Sequence, residues 1–188
     1  MPRLVEIAAD PAVIAKAREG DERARGQLYS ALAPAAFGLI RRLIGNRAQA
    51  EDLFQDTMLA FFERLDTYRA EAPLGAWLRQ IAVTRCLMHL RSPWHRARLN
   101  LSGADDEMPP VSAPVPESLD MDRALNSLSA TARTVVWLYE VEGYSHEEIA
   151  HAFGRTVSFS KSQVARAHSR LRAWFDVNPE KVSCTPIF

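Results

Sequence analysis

The chain has 188 residues, 47% of them hydrophobic and 24% charged, and its formal net charge is zero. This composition predicts a globular protein of one large or two small domains and excludes a wholly disordered chain. No stretch approaches the roughly 18 apolar residues of a membrane span, and no signal peptide opens the chain, so we expect neither insertion nor export. Two distant cysteines, Cys86 and Cys184, make neither a disulfide framework nor a zinc site and fit a reducing cytoplasm.

The first half of the chain is rich in helix formers and has no alternating β-branched runs, which favours an all-α fold. Four helices are predicted there, near 10–18, 21–43, 48–65 and 74–91. Asp10 and Pro11 form the cap and first turn of the first helix, and Pro34 should kink or break the second. A loop is predicted over 66–73, and the fourth helix should stop before Pro93.

Some features of this half allow more than one interpretation. The third helix, AEDLFQDTMLAFFERL at 50–65, is a capped amphipathic helix that by itself needs no partner. Tyr68 and Arg69 follow in the loop, where an aromatic side chain beside an arginine can stack on and hold an unpaired base. That pair alone does not identify such a site. The fourth helix carries a basic set: Arg79, Arg85 and Arg91.

Proline and acidic residues divide the chain in the middle. Residues 100–118 read NLSGADDEMPPVSAPVPES, a proline-rich run with three consecutive acids and few apolar residues. That composition predicts a flexible acidic linker. We therefore predict two small helical domains, 1–96 and 119–175, a linker over 97–118 and a tail over 176–188.

The second domain contains the pattern of a helix-turn-helix. Ser145 and Glu148 form a capping box, and Gly154 stands where a C′ glycine would end a short helix. Either Thr156 or Ser158 then caps a second helix, about 158–174. One face of that helix is apolar and the others are basic without an acid, which suits DNA phosphates and base edges. An ordinary helical hairpin with a solvated basic face is the alternative.

The HEEIAH run at 146–151 does not predict a metal enzyme. A zinc protease places two histidines at i and i+4, whereas His146 and His151 lie five residues apart, or about 140° around a helix. No third ligand, phosphate loop or nucleophile elbow is evident in the sequence. We therefore expect no catalytic residues, no cofactor and no metal.

Two runs resemble the sigma-70 family of transcription initiation factors, specifically its extracytoplasmic-function (ECF) group. The first, AEDLFQDTMLAFFERLDTYRAEAPLGAWLRQIA at 50–82, is similar to the family's second conserved region. The second, ALNSLSATARTVVWLYEVEGYSHEEIAHAFGRTVSFSKSQVARAHSRLRAWF at 124–175, is similar to the fourth region. The resemblance implies a region 2 helical bundle and a region 4 helix-turn-helix domain, joined by the linker.

The resemblance also implies partners and residue roles. The chain would bind core RNA polymerase, through the β′ clamp helices and the β subunit, and direct it to promoter DNA in the cytoplasm. An anti-sigma factor is a further partner of many members of this group. The polymerase-binding residues would be Asp52, Gln55 and Asp56. Residues at the −10 element would be Tyr68, Arg69, Arg79 and Arg85. Residues at the −35 element would be Thr156, Ser158, Lys161, Ser162, Gln163, Arg166 and Arg170.

The chain departs from the family pattern at positions that bear on DNA sequence preference. They are Thr84, Met88, Arg155, Phe159, Ser160 and His168. The alternative function is that of a one-component repressor or activator, which shares the helix-turn-helix but binds duplex DNA without polymerase. The run at 50–82 argues against it. A helical adaptor that binds no DNA would leave the basic faces of 158–174 unexplained.

Overall fold

The structure, a computed structural model, describes residues 3–92 and 119–177. Every regular element within these two ranges is a helix, which confirms the predicted all-α class. The chain divides into two compact units between His89 and Leu90. The predicted linker and the last eleven residues of the predicted tail lie outside the described residues. No helix in the described part of the chain is long and apolar enough to cross a membrane.

The helices of the first unit begin at side-chain caps that the sequence supplies. They are α1 (Pro11–Arg18), α2 (Glu22–Ile44), α3 (Arg47–Glu63) and α4 (Leu74–Arg91), with short 3-10 helices at Leu4–Glu6 and Leu65–Thr67. Asp10 caps α1 by accepting a hydrogen bond from the Ala12 amide at 2.8 Å. Asp21 and Asn46 cap α2 and α3 in the same way, from Ala24 at 2.7 Å and Gln49 at 3.1 Å. All four predicted helices of this unit are confirmed.

Pro34 does not break α2, so that part of the prediction is wrong. The helix runs without interruption from Glu22 to Ile44. Proline lacks the N–H that would bond to the carbonyl four residues earlier, here Ser30. Both Pro34 and Ser30 are exposed, so water can donate a hydrogen bond to the Ser30 carbonyl in place of the missing N–H. Packing of the opposite, apolar face then holds the helix together through the proline.

The core of the first unit lies where α2 packs on α1 and α3. Fully buried leucine and isoleucine side chains of α2 form one wall, and Phe61 of α3 is also fully buried. The Phe61 ring meets the Trp77 ring of α4, with centroids 5.6 Å apart. Burying such side chains stabilises the fold by about 1.5–3 kcal/mol each. The exposed side of α3 and the loop before α4 are therefore supported by a well-packed bundle.

The second unit is a helix-turn-helix domain, as predicted. Its helices are α5 (Leu119–Asn126), α6 (Ala130–Glu140), α7 (His146–Phe153) and α8 (Val157–Val177). The Ser145 hydroxyl accepts from the Glu148 amide at 3.1 Å, and the Glu148 carboxylate accepts from the Ser145 amide at 2.7 Å. Gly154 ends α7 in the left-handed conformation, at φ 62°. These local signals are enough to place the turn between α7 and α8.

A buried arginine ties α5 to α6. Arg133 is only 2% exposed, and its Nη1 donates to the Asn126 side-chain oxygen at 3.1 Å. Burial lowers the pKa of Arg133 to about 10, so the guanidinium remains charged at neutral pH. Three residues after Arg133, Val136 belongs to an apolar cluster with Leu125 and Leu128 and with Ala167 of α8.

Candidate nucleic-acid interface and partner surface

The exposed face of α3 combines acidic side chains with one large apolar side chain. At 3.6 residues per turn, its five members lie within an arc of about 100°. They are Asp52, Gln55, Asp56, Leu59 and Glu63, all exposed. Leu59 is 62% exposed and lies near the middle of the arc. The first three are the predicted polymerase-binding residues, and the structure brings them together on one surface, the α3 face.

Leu59 is a member of this face that the sequence prediction did not include. The signal was available, because Leu59 is seven residues after Asp52 and so lies on the same side of the helix. Within the described residues, neither Asp52 nor Asp56 forms an ion pair. An exposed leucine ringed by unpaired carboxylates fits a partner surface that offers basic and apolar groups together.

The loop from Leu65 to Pro73 separates its two predicted DNA residues. Arg69 is exposed, whereas Tyr68 is only 9% exposed. The Tyr68 hydroxyl donates to the Ala72 carbonyl at 2.6 Å, and its ring packs on Trp77 with centroids 5.4 Å apart. Ala70, the residue after Arg69, has φ 58°, a left-handed conformation that is uncommon for a residue with a Cβ. Tyr68 thus anchors the loop in this conformation, and Arg69 is its solvent-facing cation.

The two predicted arginines of α4 do not share a face. Arg79 and Arg85 are six residues apart, which places them about 120° apart around the helix. Both are half-buried. The most exposed stripe of α4 runs instead through Thr84 and Met88, and Met88 is 65% exposed. The two departures from the family pattern on this helix therefore lie at its surface, where a partner or nucleic acid can reach them.

The exposed side of α8 has small residues at its centre and cations at both edges. Ser158, Ala165 and Ser169 lie within about 40° of one another and form the centre. Lys161 and Arg172 lie on one edge of this surface, and Arg166 and Arg170 on the other. Lys161 and Gln163 are about 160° apart, so they cannot reach the same point. A narrow small-residue ridge between basic edges can enter a major groove while its edges contact the two backbones.

Hydroxyl groups of the predicted −35 set are also engaged within α8. Thr156 is the N-cap: its Oγ1 accepts from the Phe159 amide at 3.3 Å, which decides between the two predicted caps. The Ser162 hydroxyl donates to the Phe159 carbonyl at 2.9 Å and accepts from the Arg166 guanidinium at 3.4 Å. Ser162 therefore helps to orient Arg166 toward solvent.

A polar pair explains how Ser160 fits where the family usually has an aliphatic residue. Ser160 is fully buried, and its Oγ lies 3.0 Å from Nδ1 of His146 at the start of α7. The His146 ring stacks on Tyr139 of α6, with centroids 4.3 Å apart and planes 10° from parallel. The buried hydroxyl is thus satisfied, and His146 joins α6, α7 and α8.

Three other departures make contacts of their own, two at the same turn and one between α6 and α8. Phe159 packs on Phe153 at 5.7 Å between ring centroids, and the Arg155 guanidinium lies 5.9 Å from the Phe159 ring centroid. His168 of α8 is 2.9 Å from a carboxylate oxygen of Glu140 in α6. Each of these three side chains therefore has a contact within the second unit.

We predict a measurable coupling between His146 and Ser160. Replacing His146 by Phe keeps a ring on Tyr139 but removes the nitrogen, and Ser160→Ala removes the hydroxyl. His146→Phe leaves the buried Ser160 hydroxyl without its partner, and Ser160→Ala leaves the half-buried His146 nitrogen without one. Each change should therefore destabilise, and a double-mutant cycle should give about 0.5–1.5 kcal/mol of coupling. Urea unfolding of the full chain measures it. Ser158→Ala, on the exposed side of α8, is the control and should show no coupling to His146.

Comparison with known proteins identifies the family of both units. Residues 28–96 match Sigma-70 region 2, and residues 118–171 match Sigma-70, region 4. The ECF RNA polymerase sigma factor SigM of Mycobacterium tuberculosis is 30% identical over 166 residues, which cover 87% of this chain and 83% of SigM. The RNA polymerase sigma factor CnrH of Cupriavidus metallidurans is 29% identical over 194 residues, with 92% and 97% of the two chains covered.

A solved structure supports the same assignment. The sigma factor RpoE, co-crystallised with the anti-sigma factor NepR from Bartonella quintana, has 26% sequence identity and a TM-score of 0.52. The match covers 81% of this chain and 96% of that one. Sigma factors are non-enzymatic subunits that give RNA polymerase its promoter specificity. Because both units match sigma-factor regions, the alternative of a one-component regulator is set aside. The chain belongs to the ECF group of the sigma-70 family of RNA polymerase sigma factors.

Proposed function

We propose that the two units divide promoter recognition between them. The first, residues 1–96, binds core polymerase and captures unpaired bases of the −10 element. The second, residues 119–175, docks on the duplex −35 element, and the acidic linker over 97–118 joins the two. The observation that carries this division is chemical: the α3 face is acidic and apolar, whereas the exposed side of α8 has cations at both edges and no carboxylate before Asp176.

The α3 face is the proposed contact to the β′ clamp helices. Asp52 and Asp56 would pair with basic side chains, and Gln55 would donate and accept hydrogen bonds. Leu59, near the middle of the face, would supply the apolar contact, since removing an exposed apolar side chain from water is favourable. The β subunit is the second proposed polymerase contact, and we assign no residue of this chain to it.

The loop from Leu65 to Pro73, together with α4, is the proposed −10 site. Arg69 is placed to contact a phosphate or stack on an extruded base. Tyr68 would form the floor of the site in this same conformation, because its ring contact with Trp77 and its hydroxyl bond to Ala72 hold the loop beneath Arg69. Arg85 would hold the strand beside the exposed stripe of Thr84 and Met88. Because Arg79 lies about 120° away, we assign it to a separate phosphate contact.

The proposed −35 site is the exposed side of α8. Arg166 and Gln163, on one flank, have side chains suited to guanine and adenine edges. Arg170 on that flank and Lys161 on the opposite edge would neutralise phosphates. Thr156 and Ser158 lie at the start of the helix, where hydroxyl and amide groups can meet a phosphate.

The family also suggests where the protein acts and what restrains it. We propose that it acts in the cytoplasm, with RNA polymerase. We also propose an anti-sigma factor as a second partner, because the similar RpoE structure holds one. No cofactor or metal is part of the proposed mechanism, which needs only contacts with polymerase and DNA.

Site-specific crosslinking tests the proposed division directly. A photoreactive amino acid replaces Arg69 in one variant and Arg166 in another, and each variant is mixed with core polymerase. The DNA is a promoter identified by run-off transcription of genomic fragments. We expect position 69 to crosslink to the non-template strand at −10 only when polymerase is present, and position 166 to crosslink at −35. Position 23, an exposed arginine of α2, is the control. Crosslinks of both positions to one element would contradict the proposal.

A further inference from the structure

The N-terminal segment contacts the entry of the proposed −10 loop from far away in the sequence. The Arg18 guanidinium, at the end of α1, donates through Nε to the Leu65 carbonyl at 3.1 Å. It also donates through Nη2 to the Tyr68 carbonyl. These carbonyls lie 47 and 50 residues after Arg18. One planar, permanently charged group therefore holds two backbone positions at the beginning of the loop.

The same segment contacts the exit of the loop through its backbone. The Gly75 amide, just inside α4, donates to the Ile7 carbonyl at 2.8 Å. A Cβ on Gly75 would overlap the Leu4 carbonyl oxygen, so only glycine permits this approach. Leu4 itself is buried. Residues 4–18 thus contact the chain on both sides of the loop.

The loop is a segment that needs such support. Ala70 holds a left-handed backbone conformation that a Cβ disfavours. Such conformations persist only where the surroundings enforce them. Inside the loop, the Tyr68 hydroxyl bond to Ala72 closes a short ring, and the Tyr68 ring packs on Trp77 of α4. Arg18 and the Leu4–Ile7 backbone add hydrogen bonds to the main chain at the two ends of the loop.

We propose that residues 4–18 are a brace that positions the −10 loop, with Arg18 as its positioning residue. The inference rests on the proposed −10 function of the loop. The whole brace precedes the part of the chain that matches Sigma-70 region 2, which starts at residue 28. Its effect is preorganisation: a loop already held in its binding conformation loses less freedom when it receives DNA. Arg18 does not contact the DNA in this mechanism.

The first arm of the test measures the loop without any partner. Hydrogen exchange is followed at the Thr67 and Tyr68 amides, which bond to the Arg64 and Leu65 carbonyls. Loss of two charge-assisted bonds in Arg18→Ala should accelerate their exchange about tenfold or more. Arg18→Lys should give a smaller increase, because an ammonium cannot span both carbonyls as a fork.

Arg23→Ala is the matched control for both arms. Arg23 is an exposed arginine of α2 that forms no hydrogen bond or ion pair within the described residues. It should leave exchange at Thr67 and Tyr68 unchanged. Equal exchange in wild type and Arg18→Ala would overturn the brace, whatever the function of the loop.

The second arm measures capture of the single strand. With core polymerase, Arg18→Ala should bind a single-stranded −10 oligonucleotide about tenfold more weakly, and should bind polymerase and a −35 duplex as wild type does. If Arg18 only stabilised the fold, Arg18→Ala would weaken binding to the oligonucleotide, to polymerase and to the −35 duplex alike. Faster loop exchange with unchanged oligonucleotide affinity would overturn the link to DNA capture. If the wild-type holoenzyme did not bind the oligonucleotide, the proposed −10 function would be contradicted. The hydrogen-exchange measurement would still decide whether Arg18 holds the loop.

Discussion

Asp52→Lys combined with Asp56→Lys should abolish co-elution of the chain with core RNA polymerase in gel filtration. Both carboxylates are exposed on the α3 face and have no ion-pair partner among the described residues. Reversal therefore removes two attractions and places like charges against the basic groups expected on the polymerase. Like-charge contacts across an interface cost several kcal/mol. We expect affinity to fall by about 100-fold or more, since each 1.4 kcal/mol is about tenfold.

The design separates loss of binding from loss of folding. Surface substitutions away from special features change stability by about 0.5 kcal/mol or less, so thermal unfolding should stay close to wild type. Glu19→Lys with Glu22→Lys is the control, because these exposed acids lie outside the α3 face. The control carries the same change of net charge and should co-elute normally. Equal losses in the two double variants would point to long-range charge and would refute the α3 face as the contact.

Leu59 extends the same test to the apolar part of the face. Leu59→Ala removes a side chain that is mostly in water in the free chain, so the free energy of unfolding should change little. If the side chain is buried against polymerase, its loss should weaken binding by about 1–2 kcal/mol. Leu59→Asp should weaken it further, because a carboxylate would be buried without a partner.

The sequence predicted contacts between residues that are close together in the chain better than contacts between residues that are far apart. The caps at Asp10 and Ser145 and the glycine end at Gly154 use residues within a few positions of each other, and their geometry was predictable. The same local rules gave four helices of the first unit and the helix-turn-helix. They failed at Pro34, because helical packing around an exposed proline is decided by the rest of the bundle.

Longer-range contacts could not be predicted from a single sequence. Nothing near Arg18 indicates that its guanidinium meets carbonyls beyond Leu65, and nothing near Tyr68 indicates that its ring lies on Trp77. The pair of His146 and Ser160 is of the same kind: two residues 14 positions apart form one hydrogen bond when α7 packs on α8. Leu59 differs from these, because helical periodicity alone placed it beside Asp52.

Arg166→Ala should reduce discrimination between a correct and an altered −35 element. Arg166 lies on the flank of α8 that also carries Gln163, and Ser162 orients its guanidinium. A planar guanidinium can bond to two acceptors of a guanine at once, and such a contact discriminates by about 1–3 kcal/mol. We therefore expect the holoenzyme to lose about tenfold or more in affinity for its −35 duplex and to lose little for a duplex with that element altered.

Lys161→Ala should not change the discrimination between the two duplexes, in contrast to Arg166→Ala. Lys161 lies on the opposite edge of α8, about 160° from Gln163, where it can reach a phosphate but not the same bases. Its loss should weaken binding to both duplexes equally and reduce the slope of log affinity against log salt by about 1. Arg123→Ala, an exposed arginine of α5, is the control and should change neither quantity. If Arg166→Ala also weakened both duplexes equally, Arg166 would be a phosphate contact. The small residues at the centre of the exposed side, Ser158, Ala165 and Ser169, would then read the sequence, which requires the helix to approach the base edges closely.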